Sequence, residues 1–222
     1  PGMPAGPSEA IILADQSAHP YNTALDMINE AEHGPDSASL LVTDSEDLVN
    51  EVLEVLPGII EGLPEQRREF CKAGFQNYGG IMLCRSMDEA IDFCNEYAVE
   101  HLLMKVAEPL SVLDRLDNSG EILIGEAAPI VLGNYGIGVN AVLPTGRKAL
   151  VHDCTSVWAF LKRTSLSYMT RQGYDALKEP VTRLADYEGF TGHAEVLRQR
   201  DESVLSDEDI FAGVTTKKTA NG

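Results

Sequence analysis

Short runs of branched apolar residues alternate with longer amphipathic stretches over the first two thirds of the chain, and this alternation limits the fold more than any other feature. Strands that are separated by helices build a parallel sheet whose faces the helices cover. The predicted strands span residues 10–14, 40–43, 80–84 and 121–124. The sequence therefore predicts an α/β fold with a mostly parallel sheet flanked by helices.

Apolar residues at helical spacing predict helices between these strands and after them. Ser45 and Ser86 both suit the N-cap position, and Glu89, three residues after Ser86, completes a capping box. The predicted helices span residues 21–33, 45–61, 64–71, 86–97, 109–118, 157–162 and 171–200.

Composition changes divide the chain into three predicted parts. Residues 1–150 hold the α/β pattern. A loop rich in glycine, proline and asparagine, from 127 to 155, runs across the end of this part. A long glycine-bearing loop in a compact domain is usually functional. We expect residues 151–200 to form a small helical tail domain and residues 201–222, with their charge run and polar end, to be disordered.

Charge and cysteine content restrict the partners and the compartment. The 222 residues include 35 acidic and 17 basic side chains, a net charge of −18 that repels nucleic acids and anionic membranes. The four cysteines form no C-x-x-C pair, so no disulfide framework is expected. The apolar runs are too short to cross a bilayer. We expect a cytoplasmic protein that binds neither nucleic acid nor membrane.

One segment offers two metal ligands from a single helix end. Glu30 and His33 are three residues apart just before Gly34-Pro35, and residues at that spacing share a helix face. Imidazole and carboxylate together suit zinc or a similar ion. An isolated pair of this kind is more often an ordinary solvated surface, so the rest of the chain has to decide between the two interpretations.

Two further histidines have a carboxylate close by in sequence. His101 follows Glu100 in a segment expected to be extended or turned, where both can reach one site only if the backbone bends. His193 follows Glu188 in the predicted tail. His19 and His152 fall outside these segments and are expected to be structural or exposed. The glycine-rich stretch 133–138 contains no lysine, so it is not a phosphate-binding loop.

Six stretches, PAGPSE, AEHGPDS, EHL, NAVLPTG, SVWAFLKR and EGFTGH, together resemble blocks of the histidinol dehydrogenase family. That family comprises zinc-dependent enzymes that oxidise an amino alcohol through an aldehyde to a carboxylic acid with two NAD. The resemblance runs from about Pro4 to Arg200 and matches the C-terminal half. It implies a Rossmann-like sheet, with NAD bound mainly by a region that this chain does not include.

The resemblance implies a zinc site with an altered ligand set. The positions of the family's glutamine, histidine and aspartate and of a histidine from the neighbouring subunit are here Glu30, His33, Asn134 and His193. Both histidines are kept, while glutamine has become glutamate and aspartate has become asparagine. The two changes move one negative charge from the loop to the helix, so the total charge of the ligands is the same.

The resemblance also implies the acid–base and substrate-binding residues. The family's Glu-His pair corresponds to Glu100 and His101: the histidine is the base for the hydroxyl proton, and the glutamate activates water for a second oxidation. Ser8 and Glu188 match substrate-binding positions, but Ala141 replaces a histidine. A lost polar contact of this kind typically costs ~1–3 kcal/mol, so we expect a substrate other than histidinol.

Three functions are compatible with these residues. The first is NAD-dependent and zinc-dependent oxidation of a small polar alcohol by a homodimer in which His193 and Glu188 complete the neighbouring site. The alternative is a non-catalytic, metal-binding or regulatory paralogue or fragment, which Asn134 and Ala141 favour. A metal-dependent hydrolase that works without NAD is the third.

Overall fold

The computed structural model describes residues 5–207, which divide into two compact units, one up to residue 161 and one from residue 162. The first unit extends beyond the predicted boundary at residue 150, because Thr155 N–H donates to the Val142 carbonyl at 3.2 Å and ties this segment to the preceding loop. Most of the tail predicted to be disordered, residues 208–222, lies outside the described residues.

The first unit is built on a five-stranded parallel sheet, which confirms the predicted fold class. Its spatial order is β3-β2-β1-β4-β5, which is the Rossmann order 3-2-1-4-5-6 without the sixth strand. The strands are β1 Glu9–Ala14, β2 Ala38–Thr43, β3 Gly80–Leu83, β4 His101–Lys105 and β5 Glu121–Ile124. The sequence analysis missed β4, because its apolar residues are two leucines and a methionine, which favour helices as much as strands.

Helices cover both faces of this sheet. They are α1 Pro20–Ala31, α2 Glu46–Glu61, α3 Glu65–Asn77, α4 Met87–Tyr97, α5 Pro109–Leu113 and α6 Ile130–Leu132, which continues as a π-helical turn over Gly133–Ile137. Successive residues of β1 point to opposite faces. Ile12 therefore packs with α1, α2 and α3, whereas Ile11 and Leu13 pack with α4. Ser45 and Ser86 cap α2 and α4 as predicted.

Four predicted helices differ from the structure. The helix predicted over 109–118 ends at Leu113, and the one predicted over 157–162 is only a 3-10 turn, Val157–Ala159. The other two differ for local reasons. The helix predicted over 64–71 continues to Asn77, since Gly74 lets it approach the Ser37 carbonyl, which a Cβ would meet at 3.0 Å. In the second unit the helix predicted over 171–200 is two helices, α7 Arg171–Tyr187 and α8 Thr191–Arg198. Gly189, at φ 78°, makes the turn between them. No helix within residues 5–207 has the length and apolar character that a membrane crossing requires.

Candidate active site

Four of the site's side chains lie at the amino edge of the sheet, where the parallel strands begin. Glu9, His101 and Glu121 are the first residues of β1, β4 and β5, and Glu100 immediately precedes β4. Helix α1 runs back from the carboxyl edge, so its last turn, with Glu30, returns to the amino edge. The fold thus gathers residues that are distant in sequence around His101.

The His101 imidazole lies between two carboxylates. Its Nδ1 is 2.5 Å from Glu121 Oε1, and its Nε2 is 3.7 Å from Glu100 Oε1. All three side chains are buried, with the imidazole only 5% exposed. The backbone bends at Glu100, as the sequence analysis required if both members of the pair were to reach one place.

The Glu100 carboxylate is tied to β1 and to the glycine-bearing loop. Its Oε2 accepts the Glu9 backbone N–H at 3.1 Å, and Glu9 Oε1 in turn accepts the Gly146 N–H at 3.0 Å. Gly146 belongs to the NAVLPTG stretch, so this predicted functional loop is attached to the amino edge. Ser8, half-buried just before β1, lies beside the same attachment.

Burial and neighbouring charges shift the pKa values at this edge. Burial raises the pKa of Glu100, while the positive charge that His101 can carry acts in the opposite direction. Burial lowers the pKa of His101, but the Glu121 hydrogen bond and the charges of Glu30, Glu100 and Glu121 outweigh it, and the net shift is upward. A base whose pKa lies somewhat above its ordinary value suits proton abstraction near neutral pH.

The end of α1 presents Glu30 and His33 on one face. His33 Nδ1 is 3.1 Å from the Asn29 carbonyl and 3.5 Å from Glu30 Oε2, which leaves its Nε2 available. The Asn29 side-chain amide donates to Glu30 Oε1 at 2.9 Å. Glu30 is only 1% exposed, so this pair is not an ordinary solvated surface.

Asn134, on the π-helical turn after α6, meets this helix end. His33 and Asn134 line one polar cavity of about 210 Å³, together with Arg67 and Tyr135. Within residues 5–207, Glu30 Oε2 and Asn134 Oδ1 are buried without a hydrogen-bond partner. Buried acceptors of this kind normally have a partner, and a bound cation would provide one.

The donor set fits zinc as three ligands of an incomplete site. A carboxylate oxygen, an imidazole nitrogen and an amide oxygen are available, and a fourth ligand is needed for a tetrahedral ion. Among residues 5–207, no three His, Cys, Asp or Glu side chains are grouped so that they could hold a metal. Asparagine is not one of these four residue types, so a zinc site that includes Asn134 differs in composition from a standard zinc site.

The second unit contains the other two predicted site residues. Glu188 ends α7 and His193 lies in the first turn of α8, and both line a cavity of about 370 Å³. The His193 ring packs against Phe190 with centroids 5.1 Å apart. The structure therefore brings Glu188 and His193 together within this unit.

At the opposite, carboxyl edge, Lys105 is buried in a separate charge cluster. Its ammonium is 2.5 Å from Asp26 and 2.9 Å from Glu126. Glu126 also accepts the His19 backbone N–H at 2.9 Å, at the N-terminus of α1. Helix N-termini at this edge are where Rossmann-like folds usually bind phosphates. In this unit the Glu126 carboxylate binds at the N-terminus of α1 instead.

The strand order and the buried histidine define a Rossmann-like α/β unit that holds an imidazole between two carboxylates at the amino edge of its sheet. The model of the histidinol dehydrogenase family matches residues 1–201. The chain therefore belongs to the histidinol dehydrogenase family, a family of NAD-dependent oxidoreductases.

Individual relatives agree with this assignment. The chain is 50% identical to histidinol dehydrogenase from Synechocystis over 90% of its own length and 46% of the relative. It is 44% identical to a histidinol dehydrogenase homolog from Colwellia psychrerythraea, over 95% and 48%. The crystal structure of histidinol dehydrogenase from Elizabethkingia anophelis superposes with a TM-score of 0.84 at 29% identity, covering 92% of this chain and 46% of that one. The chain thus spans about half the length of these relatives.

Sequence reasoning missed Glu9 and Glu121. Glu9 contacts Glu100 across 91 positions, and Glu121 contacts His101 across 20. Glu121 does open a predicted strand. With β4 assigned, the parallel register that pairs His101 with Glu121 would have identified the contact.

Proposed function

We propose that the chain is the C-terminal half of an NAD-dependent and zinc-dependent dehydrogenase that oxidises a small polar alcohol other than histidinol. The observation that carries the proposal is the buried His101 imidazole between Glu100 and Glu121, close to the helix end with Glu30. Family membership supports dehydrogenase chemistry over the non-catalytic alternative.

His101 removes the proton of the substrate hydroxyl, and Glu100 activates water if a second oxidation follows. Glu30, His33, Asn134 and the partner subunit's His193 would hold zinc, whose positive charge would stabilise negative charge that develops on the substrate oxygen. Ser8 and the partner subunit's Glu188 bind the polar groups of the substrate. Glu126 fills the usual phosphate position of this unit, so NAD is held mainly by the other half of the protein.

Substrate screening of the protein as its gene encodes it tests this function. We expect zinc-loaded protein to reduce NAD with one class of small polar alcohol, and to use histidinol at least about fivefold less efficiently, since one lost polar contact costs ~1–3 kcal/mol. NADH formation is followed by absorbance. Oxidation of no polar alcohol, or hydrolysis without NAD, would refute the dehydrogenase proposal.

Metal analysis tests the ligand set independently of activity. We expect about one zinc ion per chain in the parent protein and a large loss of zinc in Glu30→Ala and in His33→Ala, because each removes one of few ligands. His152→Ala is the matched control, as His152 is exposed and lies outside the site. A parent protein without bound metal, or variants that keep it fully, would contradict the assignment.

A further inference from the structure

Among residues 5–207, Glu121 is the one carboxylate in hydrogen-bond contact with the His101 ring. The two residues begin adjacent parallel strands and are paired in register. Side chains at paired positions of neighbouring strands lie side by side on the same face of the sheet. The 2.5 Å separation of Nδ1 and Oε1 therefore follows from the backbone, with no flexible loop between the partners.

Because both side chains are buried, this contact decides which ring nitrogen of His101 carries the proton. The side chains of His101 and Glu121 are 5% and 7% exposed, so water competes little for either. An ionised carboxylate only accepts hydrogen bonds, and it therefore requires a proton on Nδ1. The neutral ring then carries its lone pair on Nε2, the nitrogen that faces Glu100 at 3.7 Å.

We propose that Glu121 is a positioning residue that fixes the orientation and the tautomer of His101, so that Nε2 is the atom that takes the substrate proton. The proposal rests on the proposed function, and it adds a residue that the sequence motifs do not contain. Glu121 acts only through His101 and is not itself required to touch the substrate. The same division of roles occurs wherever a buried carboxylate orients a catalytic imidazole.

Other charges around the ring do not replace this contact. Glu30 from α1 and Glu100 from the residue before β4 also act on the ring electrostatically, and Glu9 from β1 acts on Glu100. Glu100 is beyond hydrogen-bond distance of the ring at 3.7 Å. Charge loss at Glu121 should therefore lower the pKa of His101 without abolishing the effect of the other carboxylates.

Two variants separate the charge of Glu121 from its hydrogen bond. Glu121→Gln keeps an oxygen that can accept from Nδ1–H but removes the charge, whereas Glu121→Ala removes both. Nitrogen-15 NMR of labelled histidines, with His101→Gln to assign the signals, reports pKa and tautomer directly. We expect Glu121→Gln to lower the pKa of His101 while keeping the proton on Nδ1, and Glu121→Ala also to lose the tautomer preference.

Kinetics of the full protein provide the functional measurement. Because the base must be unprotonated, a lower pKa of His101 moves the acid limb of the kcat/KM profile of Glu121→Gln to lower pH. We expect Glu121→Ala to lower kcat by at least about 100-fold, with KM changed by less than about threefold. Glu54→Gln, an exposed change on α2 with the same charge difference, should leave profile and rate unchanged.

The NMR and kinetic results distinguish two kinds of failure. An unchanged tautomer and pKa of His101 in folded Glu121→Ala would overturn the positioning role, whatever the activity. If the Glu121 variants alter the His101 signals but the parent protein oxidises no alcohol, the proposed function is refuted and the Glu121–His101 pairing stands. An active parent whose Glu121 variants keep its pH profile and rate would overturn the positioning role alone.

Discussion

Replacing His101 with glutamine is expected to lower kcat by about 10²- to 10⁴-fold, the usual contribution of a general base. Glutamine has nearly the same length and remains polar, but it cannot accept the hydroxyl proton. The imidazole is 5% exposed and close to carboxylates at both nitrogens, so bulk water cannot easily take its place. Steady-state kinetics of the full protein with NAD and its alcohol substrate measure the change.

His152→Gln is the control for this experiment, because it makes the same chemical change at an exposed histidine of the same unit. Circular dichroism checks that both variants fold, and metal analysis checks that both keep the zinc content of the parent. A His101→Gln variant that is folded, metal-loaded and within tenfold of the parent rate would show that another group takes the proton.

Replacing Lys105 with methionine is expected to cost about 3–5 kcal/mol of the free energy of unfolding, because it removes one partner of a buried ion pair. The Lys105 side chain is 1% exposed and neutralises Asp26 and Glu126 at the carboxyl edge. Its loss leaves two nearby carboxylates without their cation. Urea or thermal unfolding of the protein measures the effect.

The surface variant Lys72→Met serves as the control, since the Lys72–Glu61 pair is about half exposed and such pairs contribute little to stability. A double variant, Lys105→Met with Asp26→Leu, should recover much of the loss, because apolar packing can replace a buried ion pair. A cost below about 1 kcal/mol for Lys105→Met would mean that water solvates Asp26, or that Asp26 takes up a proton, when the lysine is absent.

The sheet could be predicted from the sequence where strands contain branched residues, as in Ile11-Ile12 of β1. It could not be predicted at β4, where Leu102, Leu103 and Met104 fit a helix equally well. That omission concealed the centre of the site. His101 and Glu121 are neighbours only because β4 and β5 pair in register, and register between distant segments is a tertiary property.

Contacts of the candidate site between residues close in sequence could be predicted, whereas contacts between distant residues could not. Glu30 lies in the last turn of α1 and His33 in the turn that follows Ala31, and the two side chains are close together, as their spacing indicated. The roles of Asn134 and His193 came only from the family resemblance, and they stay predictions. The burial of Glu30 was not evident, because an isolated glutamate near a helix end is usually solvated.

The carboxylate of Glu126 at the start of α1 has a consequence for how this unit can vary in evolution. With that helix end already satisfied, the turns at the carboxyl edge hold none of the residues of the proposed mechanism. Insertions and deletions there, away from Lys105, should be tolerated in relatives. The turns at the amino edge, which attach Glu9 to Gly146, should keep a constant length.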